Sequence, residues 1–143
     1  MIYNRRNPMK YLLLALAILA PAALAADAPL RNPIETQFTG YKAVVTDGRV
    51  ISTWKRYRRD DFVSYRVLKS TSASPMYPDT KPIYTTTWAG DTLFEDGFLT
   101  AGTWNYRLVI ITRYGDRWVS PVVTVVVTPE QVKRSAPSFA DFE

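Results

Sequence analysis

The chain of 143 residues contains no cysteine and no histidine. The first absence removes disulfides, thiol nucleophiles and a lipid-carrying cysteine, and the second removes the commonest general base. Together they also remove the usual ligands of zinc, copper and iron. Neither a Gly-x-Ser-x-Gly elbow nor a phosphate-cradling glycine loop occurs. The expectation is a protein without metal or cofactor and not an enzyme. Carboxylate chemistry has two candidates, Asp60-Asp61 and Glu95-Asp96. Neighbours on a strand point to opposite faces, so each pair reads as solvated turn charges.

Helical periodicity of useful length is missing too, and the one long apolar run lies at the beginning. Arg5, Arg6 and Lys10 precede the apolar residues 11–20, and Ala23-Leu24-Ala25 follows as a small-x-small site. This is the pattern of a secretory signal peptide cleaved after Ala25. The run is too short to span a bilayer and is broken by Pro21, so no transmembrane anchor is expected after cleavage. Arg5-Arg6 resembles a twin-arginine signal, but Pro8 stands where that pattern wants a bulky apolar residue, and Met9 is an alternative start. The expected location is the periplasm or the outside of the cell.

Net charge shrinks once the leader is set aside. Three of the 18 Lys and Arg lie in it and all 13 Asp and Glu lie beyond it, leaving 15 against 13. A surface so nearly balanced lacks the footprint of a nucleic-acid binder.

What is present is β-structure. Residues 101–127 place Val, Ile, Thr, Tyr and Trp in two runs with Gly115-Asp116 between them, a strand-turn-strand hairpin. Asp47-Gly48 marks another turn between strands 41–46 and 50–57. Residues 62–70 form a third strand, with Tyr65 and Val67 on one face and Arg66 and Leu68 on the other. A proline-containing loop over 70–82 leads to strands at 83–88 and 92–99, and the first hairpin supplies the sixth and seventh. Residues 26–36, with Pro29 and Pro33, read as an extended lead-in, 37–128 as one domain and 129–143 as a polar tail. The fold class is all-β, a seven-stranded antiparallel β-sandwich.

From Phe38 to Thr128 the sequence resembles a fibronectin type III, immunoglobulin-like domain. Trp54 closes its strand as that family's buried tryptophan does, and Tyr65-Arg66-Val67 is similar to its third-strand Tyr-x-Val. Gly102-Thr103-Trp104-Asn105-Tyr106-Arg107-Leu108 resembles the run that opens its sixth strand, and Gly115 and Ser120-Pro121 complete the pattern. Ser52 departs from it, standing where the family prefers Leu. The resemblance implies that Tyr106 is a corner tyrosine, its ring in the core and its hydroxyl bonded to backbone, with Leu108 and Ile110 on the same face. Trp54, Tyr65, Val67, Tyr106, Leu108 and Ile110 are the expected core. The Pro75–Pro78 segment is similar to a bacterial exported subgroup. This fold serves chiefly as a spacer or binding platform.

Three features carry the functional expectation. Lys55, Arg56, Tyr57, Arg58 and Arg59 form a dense basic run that suits an anionic glycan, a lipid headgroup or an acidic partner, with Tyr57 as a stacking surface. Tyr77, Trp88 and Trp118 are aromatics that could stack on sugar rings. Arg113-Tyr114-Gly115-Asp116 is not an integrin motif, because Tyr114 interrupts it. Val122–Val127 is apolar on both faces apart from Thr124, so its outer side calls for a cover. Either the tail, through Phe139 and Phe142, or a partner chain supplies it, self-association included. The first expectation is a non-catalytic exported binding or scaffold module that contacts another protein in the envelope or outside the cell, and the alternative is a small carbohydrate-binding module.

Overall fold

A computed structural model describes residues 32–97 and 99–135. The leader of residues 1–25 and the tail aromatics Phe139 and Phe142 lie outside the described residues.

Two sheets face each other. The smaller holds β2 (Tyr41–Thr46), β3 (Arg49–Trp54) and β6 (Leu93–Asp96) in the order β2-β3-β6. The larger runs β1 (Glu35–Gln37), β8 (Arg117–Val119), β7 (Gly102–Thr112), β4 (Phe62–Ser70), β5 (Pro82–Thr86), with β9 (Val123–Val127) also on β7. Period two aims Tyr41, Ala43, Val50 and Trp54 from one sheet at Tyr65, Val67, Tyr106, Leu108, Ile110, Val125 and Val127 from the other, a single buried core.

Among the described residues there are nine strands where the sequence predicts seven. The final strand divides at Ser120-Pro121, where proline has no N–H for a ladder. The lead-in gains β1, which pairs parallel to β8 through Glu35↔Arg117, Thr36↔Trp118 and Gln37↔Val119. Asp47 (φ 49°) and Gly48 (φ 76°) make the expected turn, both in the left-handed region that a type I′ hairpin requires. The hairpin between β7 and β8 differs. Thr112 N–H donates to Asp116 O and Gly115 N–H to Thr112 O, so the loop is three residues, Arg113 to Gly115, with Gly115 at φ 80°. That positive φ is what the last residue of such a loop needs.

The start of the predicted tail is a helix, α1 (Pro129–Ser135). Thr128 N–H donates to Gln131 Oε1 at 2.7 Å and Gln131 N–H to Thr128 Oγ1 at 3.4 Å, a reciprocal capping box with Pro129 at the first helical position.

Residues 71–81 fold across the outer face of the larger sheet. Pro75 is buried, and Tyr77 packs on Leu68, Val109 and Val119, which form a second small apolar cluster. Outward-pointing side chains hold the loop by its carbonyls: Asn105 Nδ2 donates to Ser72 O (2.8 Å), Arg107 to Pro75 O (3.2 Å) and Arg117 to Tyr77 O (2.6 Å). The apolar outward residues Leu68 and Val109 are thereby kept from water.

The core also carries polar links. Tyr106 hydroxyl donates to Asp96 Oδ2 at 2.7 Å, a carboxylate rather than the backbone group that the resemblance implies. Lys69 Nζ meets the same oxygen at 2.7 Å, with its charge 4.6 Å from the Trp104 ring centroid. Asp96 is therefore a buried cross-sheet partner and not a solvated turn charge. Ser52 is fully buried and its hydroxyl shares a 3.0 Å hydrogen bond with Tyr41, which accounts for a polar residue at that core position.

Candidate binding surface at the loop end of the sandwich

Three connections meet at one end: residues 55–61 between β3 and β4, 87–92 between β5 and β6, and 113–116 between β7 and β8. They are joined by main-chain bonds. Trp54 N–H donates to Thr92 O (3.1 Å), and Arg113 N–H to Asp61 O (2.7 Å), while the Arg113 guanidinium donates to Asp60 O (2.7 Å). Tyr65 ties the first two loops through its buried phenol, accepting from Tyr57 N–H at 2.7 Å and donating to Ala89 O at 3.2 Å. Burial pushes this phenol's pKa up, which keeps its donor proton in place.

Lys55, Arg56, Arg58 and Arg59 are exposed on the first loop. Arg59 lies 3.7 Å from Asp61 and over the Trp118 ring at 5.8 Å, whereas Lys55, Arg56 and Arg58 make no ion pair among the described residues. A shallow cleft of about 240 Å³ opens between Arg56 and Arg58. Tyr57, expected to offer a stacking face, is buried at 6% exposure. Its ring meets Trp118 edge-on at 5.8 Å and its hydroxyl donates to Asp61 at 2.9 Å. Burial and that carboxylate push the phenol up to about 12.

Trp88 is 70% exposed on the second loop. Its N–H donates to Thr86 Oγ1 (3.2 Å) and its carbonyl accepts from Asp91 N–H (3.0 Å), closing a turn. Gly90 makes room for the indole, since a Cβ there would sit 2.8 Å from two ring atoms. Asp91 is in turn held by the Tyr84 hydroxyl, and the Tyr84 ring stacks on Phe94 at 4.5 Å. Tyr114, at the tip of the third loop, is 71% exposed.

Of the predicted contact residues, Lys55, Arg56, Arg58, Arg59 and Trp88 are brought to one surface. Trp118 is half-buried at the foot of that surface, against Tyr57 and Arg59. Tyr77 lies elsewhere: it faces onto the outer sheet, with the Arg66 and Arg117 guanidinium groups 4.4 and 5.4 Å from its ring centroid. Arg113 and Tyr114, weighed in the sequence only as an interrupted integrin motif, also belong to this end; their position beside the hairpin glycine was the available signal. The carboxylates do not converge. Asp61 belongs to this end, and Asp96, opposite Val50 in the β3–β6 register, belongs to the other.

No family model matches the chain, and no curated protein matches it. Among solved structures, pectate lyase PelI from Erwinia chrysanthemi, in complex with tetragalacturonic acid, superposes with a TM-score of 0.51 at 17% identity over 60% of this chain and 27% of the lyase. The chain thus spans about a quarter of that protein's length. The sixth fibronectin type III domain of human fibronectin type III domain containing protein 3 superposes with a TM-score of 0.50 at 18% identity, over 76% of this chain and 93% of the domain. The fold is fibronectin type III-like. At such identities the likeness is one of fold.

Proposed function

We propose that the protein is a non-catalytic binding module, exported through the leader of residues 1–25, that engages its ligand through the loop end of the sandwich. The observation that carries this reading is the joining of three loops by main-chain bonds, which brings Arg56 and Arg58, without an ion-pair partner among the described residues, to the same end as exposed Trp88 and Tyr114. A rigid sandwich end that presents charged and aromatic side chains on loops is suited to recognition, because the scaffold meets the ordering cost before the ligand arrives. A contact protein of the envelope and a glycan are both ligands such a surface takes. The flat placement of Trp88 favours the glycan, and the fold likeness to part of PelI, a protein described with tetragalacturonic acid, is compatible with it.

The test is alanine substitution at Arg56, Arg58, Trp88 and Tyr114 in the full chain. Exposed positions of this kind are expected to change unfolding free energy by less than about 0.5 kcal/mol while ligand capture falls roughly tenfold. Capture that survives all four substitutions would remove the loop end from the reading. Export is checked by sequencing the protein recovered from outside the cytoplasm, with Ala26 expected as its first residue.

A further inference from the structure

We infer that the ligand is a polysaccharide carrying uronate carboxylates, an assignment that rests on the loop end being the binding surface. Trp88 and the Arg56–Arg58 cleft lie on loops that the Tyr65 hydroxyl draws together, through Tyr57 N–H next to Arg56 and Ala89 O next to Trp88, and they supply complementary halves of such a site. A pyranose ring presents a face of C–H groups, and a flat, open indole is the surface it stacks on. Trp88 is such a plate: Gly90 lets one side of the ring lie against the main chain, and the turn closed by Asp91 fixes its approach. A guanidinium offers a planar fork that matches a carboxylate, and Arg56 and Arg58 flank a cleft without an acid to answer them among the described residues. Stacking alone would accept a neutral sugar, and the two arginines alone would accept any anion. Together they select a sugar ring bearing a carboxylate.

The same features weigh against other anions. A loop that enters a lipid interface projects its apolar rings outward, whereas the Trp88 indole lies down on Gly90. Nucleic-acid strands require a basic track that follows successive phosphates, whereas the residues beyond the leader number 15 basic against 13 acidic.

The full chain is titrated calorimetrically with oligogalacturonate and with the same oligosaccharide after methyl esterification of its carboxyls. Native protein should bind the free acid, and esterification, Trp88→Ala and the Arg56→Ala/Arg58→Ala pair should each weaken binding at least roughly tenfold, the scale on which contact residues act. Trp88→Phe keeps a stacking ring and should retain most of the affinity, which separates stacking from a loss of loop structure. Absence of binding, or equal binding of the ester, overturns the uronate assignment. Binding that Trp88→Ala leaves intact and that polyphosphate matches also overturns it, in favour of a plain polyanion surface. If oligogalacturonate fails while an envelope protein is captured by the native chain and lost by the same variants, the ligand class falls and the binding-module reading stands.

Discussion

The Asp96 carboxylate faces two donors from the opposite sheet, Lys69 Nζ and the Tyr106 hydroxyl, both at 2.7 Å. Removing one member of a buried ion pair leaves the other charge without its solvent or its partner, so Asp96→Ala is expected to cost roughly 3–5 kcal/mol, read as a lower urea midpoint at unchanged slope. Replacing both Lys69 and Asp96 by apolar residues of similar volume should cost far less, because no charge is then stranded. The phenols give a second residue-scale expectation. Burial pushes Tyr41 up to about 12, and burial with the Asp61 carboxylate does the same for Tyr57; Tyr106 is raised as well, by burial and Asp96. A phenol whose folded pKa exceeds its unfolded value contributes stability that is complete below pH about 10 and is lost as the pH rises toward the folded value. Stability should therefore be flat through neutrality and fall between pH about 10 and 12, with phenolate absorbance and loss of tertiary signal rising together. Titration of these phenols in the folded state near pH 10 would contradict it.

At the scale of the element, the loop of residues 71–81 behaves as a third layer over part of the larger sheet. Tyr77→Ala should cost roughly 2–4 kcal/mol and raise hydrogen exchange at Thr80, whose N–H donates to Met76 O at 2.6 Å, more than in β7. The edge strand β9 carries a separate expectation. Val123, Val125 and Val127 turn inward, while Thr124 hydrogen-bonds Asn105 and Val126 remains 62% exposed beside an edge whose ladder partner is β7. Val126→Lys is expected to leave stability within about 0.5 kcal/mol and to abolish any concentration-dependent sedimentation arising from that edge. The elements also differ in how far the sequence disclosed them. Strands β2, β3, β4 and β7 were legible because alternation and turn residues act locally. The helix α1 was legible in principle through Thr128-Pro129-Glu130-Gln131, a capping pattern overlooked beside the short run that follows it. The covering loop had a fainter signal: Leu68 points away from the main core yet is apolar, which requires a cover that no local pattern identifies.

For the molecule as a whole, stability rests on core packing and non-local ladders. Thermal unfolding should be the same with and without a thiol reductant, and refolding should be single-exponential on the millisecond-to-second scale of sandwich topologies. The candidate surface was half legible for the same reason. Lys55–Arg59 and Trp88 could be named from composition, but their meeting depends on Tyr65 bonding across 24 residues to Ala89, and on Arg113 bonding across 53 residues to Asp60. Such closures are set by the completed sandwich. Tyr57 was misplaced for a related reason: the loop that carries it bends back beneath Trp118, which depends on the β7–β8 pairing.

The parallel pairing of β1 with β8 bears on mechanics. Tension applied through the two ends of the described chain would draw β1 and β8 in opposite directions along their common axis. Bonds such as Phe38 N–H to Val119 O (2.8 Å) and Arg117 N–H to Ile34 O (2.9 Å) would then be loaded in shear and have to fail together instead of unzipping one at a time. Three residue pairs at the entrance of the domain thus form a clamp against pulling, in a chain with no covalent cross-link to resist force.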